Sequence, residues 1–220
     1  GSDEKMASTI VNNYMISALL HTQVTLYCMD GEYLIGEESH ADFYNLLDAN
    51  CSGFHLAGSR DDILRFINTA YEKYVSHKKE NSSDEIIFVI KNLQFLDVIK
   101  DIFKGERIEE NVSNGDNFAF DSSSLDPFAS LHTMFAERGT DNGITVGEKL
   151  LKLIEDGSGY GIHFVIQSAE YQTVRDYMYY GANILAKFPE RIIFSLNAND
   201  AGSLIDQVSI QNLRENIVCY

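Results

Sequence analysis

A run of five consecutive apolar residues, IIFVI at 86–90, constrains the fold more than any other feature of the sequence. A run without alternation is typical of a strand that is covered on both faces, as in the centre of a parallel sheet. Two similar runs, VTLYCM at 24–29 and IHFVIQ at 162–167, are separated from it by segments with helical spacing. Strands that alternate with helices predict a three-layer α/β fold with a mostly parallel central sheet.

The remaining periodicity predicts the helices and two further strands. We expect helices at about 8–21, 60–78, 93–104, 127–137, 145–156, 171–186, 199–206 and 208–214. RIIFSL at 191–196 and IVCY at 217–220 are expected to be strands, the stretch from 30 to 53 irregular, and residues 105–124 a flexible insertion. We expect a single domain over 1–220. Because its last predicted strand lies at the very end of the sequence, we also expect that the domain was excised from a larger multidomain protein.

The chain carries 33 acidic and 17 basic residues, a formal net charge of −16. Affinity for nucleic acid depends on Lys and Arg side chains that neutralise phosphates, so this domain alone is expected to bind DNA poorly. The acidic surface either keeps the protein soluble or faces a protein partner or neighbouring domains. Three cysteines without a CxxC pair and six histidines without HxxxH or HExxH spacing predict no metal site.

The first eight residues, GSDEKMAS, have the length and end points of the phosphate-binding frame G-x-x-x-x-G-K-[ST]. Met6 stands in place of the second glycine and Ala7 in place of the lysine, while Lys5 comes two places early. The segment is therefore either a degenerate phosphate loop or an unstructured start before a helix. A degenerate nucleotide-binding segment would comprise Gly1, Lys5, Met6, Ala7, Ser8 and Thr9.

Two polar pairs follow the buried strands at their carboxyl ends, where ligands bind in parallel sheets. Lys91-Asn92 follows the strand at 86–90, where a nucleotide-hydrolysing domain needs an Asp for Mg²⁺ and a Glu to activate water. A lysine repels the metal and an asparagine cannot accept the proton, although the pair is equally compatible with an ordinary turn. Gln167 and Ser168 follow the strand at 162–167 and would be neighbours of the first pair, either as sensors of a γ-phosphate or as turn residues.

Several of these segments together resemble the FtsK/SpoIIIE family of hexameric motor ATPases. GSGYGIHFVIQSAEY resembles the family's "GIHLI-ATQRP" strand and sensor turn, and IIFVIKNLQFL resembles its Walker B strand, "VVVIDELADLM". The segments that resemble the family occur in the same order as in the family and extend along nearly the whole chain. They begin at Ser8, Val24, Ser59, Ile86, Gly157, Gly181 and Asn197. It implies a P-loop NTPase fold of the RecA-like type.

The departures from the family pattern fall where its ATPase chemistry takes place. Ala7 replaces the phosphate-loop lysine, Lys91 the magnesium aspartate and Asn92 the catalytic glutamate, and the sensor turn has become QSAEY. Each loss costs orders of magnitude in rate, so the resemblance implies a pseudo-ATPase without an intact catalytic residue. ATP and Mg²⁺ are expected to bind weakly at most.

The resemblance implies two main functions. In the first, the chain is a degenerate motor domain of a bacterial DNA translocase that assembles with, or regulates, active ATPase domains of the same oligomeric polypeptide. In the second, it recognises a protein substrate, as in the coupling ATPases of type VII secretion. A third interpretation retains weak ATP hydrolysis through Lys5 and a displaced carboxylate such as Asp97. Each implies a cytoplasmic domain, which could belong to a membrane-anchored protein.

Overall fold

A computed structural model describes residues 2–21, 23–37, 41–79, 84–105 and 144–194 of the chain. Its helices, in chain order, are α1 (Ser2–Leu19), α2 (Gly31–Leu34), α3 (Ala41–Asn50), α4 (Arg60–His77), α5 (Asp97–Lys104), α6 (Val146–Asp156) and α7 (Tyr171–Thr173). Its strands are β1 (Val24–Asp30), β2 (Phe54–Leu56), β3 (Glu85–Lys91) and β4 (Ile162–Ile166). Short 3-10 turns lie at Leu93–Phe95, Gly157–Tyr160 and Ile184–Lys187.

The four strands form one parallel sheet in the order β2-β1-β3-β4. β3 lies between two partners and is buried from Ile86 to its end, which explains why it has no polar alternation in the sequence. Its register with β1 runs from Glu85 beside Val24 to Lys91 beside Asp30. The expectation of an α/β protein built on a parallel sheet is confirmed.

Helices cover both faces of the sheet, because successive side chains of each strand point to opposite sides. On one face α1 and α3 pack in a buried cluster that consists of Val11, Met15, Ala18, Val24, Leu26, Cys28, Tyr44, Leu47, Phe54, Ile87 and Val89. On the other face α4, α5 and α6 pack around Ile86, Phe88 and Ile90 of β3. There the Phe88 and Phe164 rings stack with centroids 4.9 Å apart, which ties β3 to β4.

Two helices begin where the sequence predicts them, at side chains that cap them. Ser59 accepts a hydrogen bond from the Asp62 N–H at the start of α4. Thr145 and Glu148 form a capping box at the start of α6, which satisfies backbone N–H groups that have no helical partner. These caps fix the entry points of the two long helices that pack against each other on one face of the sheet.

The segment expected to be irregular, from 30 to 53, contains α2 and α3, and β2 follows it directly. In α3 only Tyr44 and Leu47 are buried, so its sequence carries little of the periodicity that predicts a helix. α1 also begins earlier than expected, at Ser2 instead of residue 8. Both corrections matter below, because α1 and α3 each contribute a side chain to the candidate site.

The prediction of a continuous helix over residues 171–186 is wrong in its second half. One α-turn continues as a π-helix over Val174–Tyr179, and the chain then turns at Gly181. A side chain at Gly181 would collide with the carbonyl oxygens of Phe103 and Tyr177. Residues 191–194 of the expected strand RIIFSL have no regular structure. The other predictions for 106–143 and 195–220 lie outside the described residues.

Gly31, directly after β1, provides a test of packing at the carboxyl edge of the sheet. A Cβ atom there would lie 2.5 Å from the Asn92 carbonyl oxygen and 2.8 Å from Phe95 Cβ. We expect Gly31→Ala to lower the free energy of unfolding by about 1–3 kcal/mol, since overpacking forces the backbone to shift. Urea denaturation measures the change. Gly159→Ala is the matched control, because a Cβ there meets nothing within 4 Å; an equal loss in both variants contradicts the packing argument.

Candidate functional site

The carboxyl ends of β1 and β3 place a carboxylate and an ammonium group side by side inside the protein. Asp30 ends β1, Lys91 ends β3, and the two residues are register partners in neighbouring strands. Both side chains are 0% exposed. Lys91 is thus the sequence-predicted site residue that the structure places at the centre of a buried polar network.

The Lys91 ammonium has one contact for each of its three N–H donors. Its Nζ lies 3.3 Å from Asp30 Oδ2 and donates to the Tyr44 hydroxyl at 2.8 Å. It also donates to Asn12 Oδ1 in α1 at 3.4 Å. One buried cation therefore joins β3 to β1 and to the two helices that cover this face of the sheet.

Asp30 is held by donors on both of its oxygens. The Tyr44 hydroxyl, which accepts from Lys91, donates to Oδ2 of Asp30. Oδ1 accepts from Asn92 Nδ2 at 2.8 Å and from the Glu32 backbone N–H at 3.1 Å. The carboxylate thus has the charge partner and the hydrogen bonds that a buried anion requires.

Asn92 adopts a left-handed backbone conformation, with φ 52° and ψ 51°. Asparagine is one of the few residues other than glycine that adopts this region readily. The turn directs the chain away from β3 and lets the Asn92 amide point back to Asp30. The second sequence-predicted residue therefore donates a hydrogen bond at this edge of the sheet.

The network determines the charge of its members. Burial acts to raise the pKa of Asp30, but the Lys91 ammonium and the hydrogen bonds from Tyr44 and Asn92 outweigh it and lower that pKa. Burial, with Cys28 and Asp30 nearby, raises the pKa of the Tyr44 hydroxyl. Burial and then Asp30 raise the pKa of the Cys28 thiol to about 12. At neutral pH the Asp30 side chain is therefore a carboxylate, whereas the Tyr44 phenol and the Cys28 thiol are neutral.

Gln167 and Ser168 lie beside this network, as the sequence predicts. The Gln167 N–H donates to the Ile90 carbonyl at 2.8 Å, and its own carbonyl accepts from Leu93 at 3.1 Å. Ser168 Oγ donates to the Glu170 carbonyl at 3.1 Å in the turn that follows. Within the described part of the chain, the buried Gln167 Oε1 has no hydrogen-bond partner. Asp30, Lys91 and Gln167 thus form a polar row across three adjacent strands.

The predicted phosphate loop is not a loop in the residues that the structure describes. Lys5, Met6, Ala7, Ser8 and Thr9 all lie within α1, and Gly1 lies outside the described residues. Thr9 Oγ1 donates to the Lys5 carbonyl at 2.7 Å, a bond within the helix. From Met6 onward the N–H groups of α1 are bound to carbonyls four residues earlier, so those of Met6 to Thr9 cannot wrap a phosphate. Both expectations for this segment, a degenerate phosphate loop and an unstructured start, are corrected for residues 2–8, which form the first turns of α1.

Asp30, Tyr44 and Asn12 belong to the network although sequence reasoning did not single them out. Asp30-Gly31 has the composition of a turn, and the only signal for a role was its position at the end of a buried strand. Tyr44 lies in the helix that the sequence does not reveal, and its ring is 1% exposed. An aromatic residue with a hydroxyl, buried against a strand end, is the kind of side chain that completes such a network.

Within the described ranges, no cluster of three or more His, Cys, Asp or Glu side chains is arranged to hold a metal ion. None of the helices described is both long and apolar enough to span a membrane. No protein-family model, no curated protein and no solved structure matches the chain. The residues themselves therefore carry the functional argument.

Removal of the ammonium tests whether the network supports the fold. We expect Lys91→Met to lower the free energy of unfolding by about 3–5 kcal/mol, because it leaves the Asp30 carboxylate buried without a charge partner. Asp30→Asn/Lys91→Met removes both charges and should recover a large part of that loss. Chemical denaturation of both variants gives the values.

Lys100→Met is the control for the loss of a lysine near the same edge. Lys100 is 16% exposed, pairs with Asp97 at 2.7 Å and donates to the Gln94 carbonyl at 2.8 Å, but the Asp97 side chain is 86% exposed. Lys100→Met therefore leaves no charge buried without a partner, and we expect a cost of about 1–2 kcal/mol. Equal costs for Lys91→Met and Lys100→Met would show that the buried pair has no special part in stability.

The lowered pKa of Asp30 predicts a pH dependence with a definite sign. A carboxylate whose pKa is lower in the folded state contributes stability above its unfolded pKa of about 4, and this is lost as the pH falls through the folded value. The free energy of unfolding should therefore fall more steeply on acidification in the wild type than in Asp30→Asn/Lys91→Met. Urea titrations from neutral pH to pH values below about 4 measure both slopes; parallel slopes contradict the assignment.

Proposed function

We propose that this chain is a degenerate, non-hydrolysing domain of the FtsK/SpoIIIE type, with a RecA-like P-loop NTPase architecture. It would assemble with, or regulate, active motor domains of the same polypeptide in a DNA translocase. The observation that carries the proposal is the fully buried Lys91 ammonium at the end of β3. In the family pattern, that position holds the aspartate that binds Mg²⁺.

A divalent cation beside Lys91 would meet strong repulsion. Two unit charges about 4 Å apart repel by about 4 kcal/mol at an effective dielectric constant of about 20, and the double charge of Mg²⁺ doubles this to about 8 kcal/mol. Asp30, the carboxylate nearest to that position, already binds the ammonium and three hydrogen-bond donors. The internal cation thus takes the place that a catalytic metal would need.

The position after Lys91 cannot supply a general base. The Asn92 amide carries no titratable group, and its nitrogen donates to Asp30. Asn92 has no carboxylate, and that of Asp30 is already bonded, so neither residue could accept a proton from a water molecule at this edge. The polar row supports a structural role for the edge.

The architecture is compatible with this family assignment at a coarse level. β3 and β4 are neighbours, so the Walker B-like and sensor-like turns lie side by side, as the resemblance requires. With a net charge of −16 on this chain, DNA contacts of the full-length protein would come from neighbouring domains. The proposal includes a cytoplasmic location and an oligomeric full-length protein.

Weak hydrolysis through Lys5 and Asp97 has little support from the geometry. Lys5 lies in α1, which packs on one face of the sheet, whereas Asp97 begins α5 on the other face. Asp97 is also paired with Lys100. The two groups that this alternative needs thus belong to helices on opposite faces.

A second candidate function is recognition of a protein substrate, as in the coupling ATPases of type VII secretion. The observation that favours it is a pair of large apolar side chains exposed at the carboxyl edge of the sheet, Ile35 at 57% and Phe95 at 41%. Exposed apolar side chains beside each other are typical of protein-binding sites. The acidic charge of the chain also favours protein over DNA as the direct partner.

Calorimetry and a phosphate-release assay test the loss of ATPase chemistry. We expect Mg-ATP to bind more weakly than about 1 mM and turnover to stay at the level of the buffer. Lys5→Ala should behave like the wild type, since Lys5 lies on an exposed part of α1. Robust hydrolysis that Lys5→Ala abolishes would refute the proposal.

A further inference from the structure

The strand β4 is less covered than its neighbour β3 on the face where α1 and α3 pack. His163 and Val165 of β4 are register partners of Ile87 and Val89 of β3, and all four side chains point to this face. Ile87 and Val89 are 4% and 0% exposed, whereas His163 and Val165 are only half-buried. Among the described residues, the cover of this face thus ends between β3 and β4.

The outer edge of β4 has no partner strand among the described residues. The Gln167 N–H donates to the Ile90 carbonyl of β3, and successive N–H groups alternate in direction along a strand, so those of Phe164 and Ile166 point outward. The strand, IHFVI, carries none of the lysine or proline residues that protect free edges. An apolar strand with a free edge and a half-buried face requires a cover.

The same face holds a buried acceptor without a donor. Gln167 comes two residues after Val165, so its side chain lies on the α1 side of β4, and the residue is 8% exposed. In the part of the chain that the structure describes, Gln167 Oε1 accepts no hydrogen bond. An unsatisfied buried acceptor costs about 1–3 kcal/mol, so a segment that covers this face should bring a donor with it.

The connections between the strands indicate which part of the chain reaches β4 from outside. The connections from β2 to β3 and from β3 to β4 pass through α4, α5 and α6 on one face of the sheet, and both move in the same direction across it. After β4 the π-helix packs against α5 on that same face. A further connection of the same hand leads the chain to the outer side of β4.

The last described residues agree with this path. Lys187 Nζ lies 3.5 Å from Glu155 Oε1 in the last turn of α6, the helix that leads into β4. The chain has thus returned to the amino end of the strand. Ile193 then packs against the buried cluster that Phe164 and Ile166 of β4 also contact. The chain that follows therefore begins beside β4.

Residues 195–220 have the composition that this surface needs. By contrast, residues 106–143 begin after α5 and end before α6, both on the opposite face. In 195–220, Leu204, Ile205 and Val208 fall at helical spacing and predict an apolar face. Six side-chain amides of this segment carry N–H donors for an acceptor such as Gln167 Oε1: Asn197, Asn199, Gln207, Gln211, Asn212 and Asn216.

We propose that residues 195–220 pack on the α1-side face of β4, over His163, Val165 and Gln167. The inference goes beyond the proposed function, because it assigns the surface beside the turn at Gln167 to this chain and withdraws it from contacts with neighbouring domains. A second copy of the chain and a partner protein are the other possible occupants, and the experiment below separates them from the segment.

A nitroxide in the middle of the segment reports its position in the full chain. Ser209→Cys, combined with Cys51→Ala and Cys219→Ser, provides one reactive thiol, because the remaining Cys28 is fully buried. The protein is labelled at its valine and leucine methyl groups and observed by NMR with the nitroxide first oxidised and then reduced. The difference in signal intensity gives the broadening that the nitroxide causes at each methyl group.

We expect strong broadening of the Val165 methyl signals and none at Leu46. Leu46 is the control because it is exposed on α3, which packs beside β2 at the other edge of the sheet. Equal broadening at both positions, or none at Val165, overturns the proposal. The purified chain contains no partner protein, so a Val165 signal without broadening would leave this face to one.

A mixed sample identifies the chain that supplies the segment. Methyl-labelled protein without nitroxide is combined with unlabelled protein that carries it. We expect no broadening of the Val165 signals in this mixture, since the segment and the strand belong to one chain. Broadening there shows that a second copy occupies the face, and it overturns the assignment.

Matched variants of the labelled protein test the apolar face of the segment. Leu204→Ser/Ile205→Ser should abolish the broadening of Val165, whereas Asp200→Ser/Asp206→Ser should retain it, because charged side chains of a docked segment face water. Unshifted Leu46 signals show that each variant is folded. Broadening that persists in Leu204→Ser/Ile205→Ser contradicts the proposal.

Discussion

The buried ion pair between Lys91 and Asp30 is the interaction on which the carboxyl edge of the sheet depends. A lone ammonium or carboxylate at this depth would cost several kcal/mol, so each charge requires the other. The hydrogen bonds from Tyr44 and Asn92 and the acceptor Asn12 complete the pair, so that the donors of Lys91 and both oxygens of Asp30 are satisfied. Since these groups come from α1, β1, α3 and β3, one pair of charges fixes how four elements meet.

The two faces of the sheet are coupled through the backbone at the end of β1. Asp30 is followed directly by Gly31, whose lack of a side chain lets the end of β1 lie against the Asn92 carbonyl and Phe95. The polar network holds Asn92 in its left-handed conformation, and the same turn carries Phe95, whose side chain is exposed. The position of this turn therefore depends on the ion pair.

The sheet was predictable because burial on both faces leaves a direct record in the sequence, a run of apolar residues such as IIFVI. Lys91 and Asn92 were also predictable as edge residues, since they follow that run. What the sequence did not reveal was the partner of Lys91: Asp30 has the composition of a turn, and Tyr44 lies in a helix with only two buried positions. The start of α1 was missed for a related reason. Its first turns carry mostly polar residues, and Met6, the large apolar residue among them, is exposed, so these turns show no apolar face. Long-range pairing determines these features, and local periodicity does not encode it.

Under the proposed function, Lys91 stands in place of a metal ligand, and this changes what the edge of the sheet can do over time. A Mg²⁺ ion arrives and leaves with its nucleotide, so a motor domain can couple the two states to movement. The Lys91 ammonium is covalently attached and buried, so the charge at this edge does not leave with a ligand. If the proposal holds, such a domain keeps the surfaces of the motor fold but has lost its nucleotide-dependent switch. Its contribution to an assembly would then come from a constant shape, which includes the exposed Ile35 and Phe95 side chains on the opposite face of the sheet.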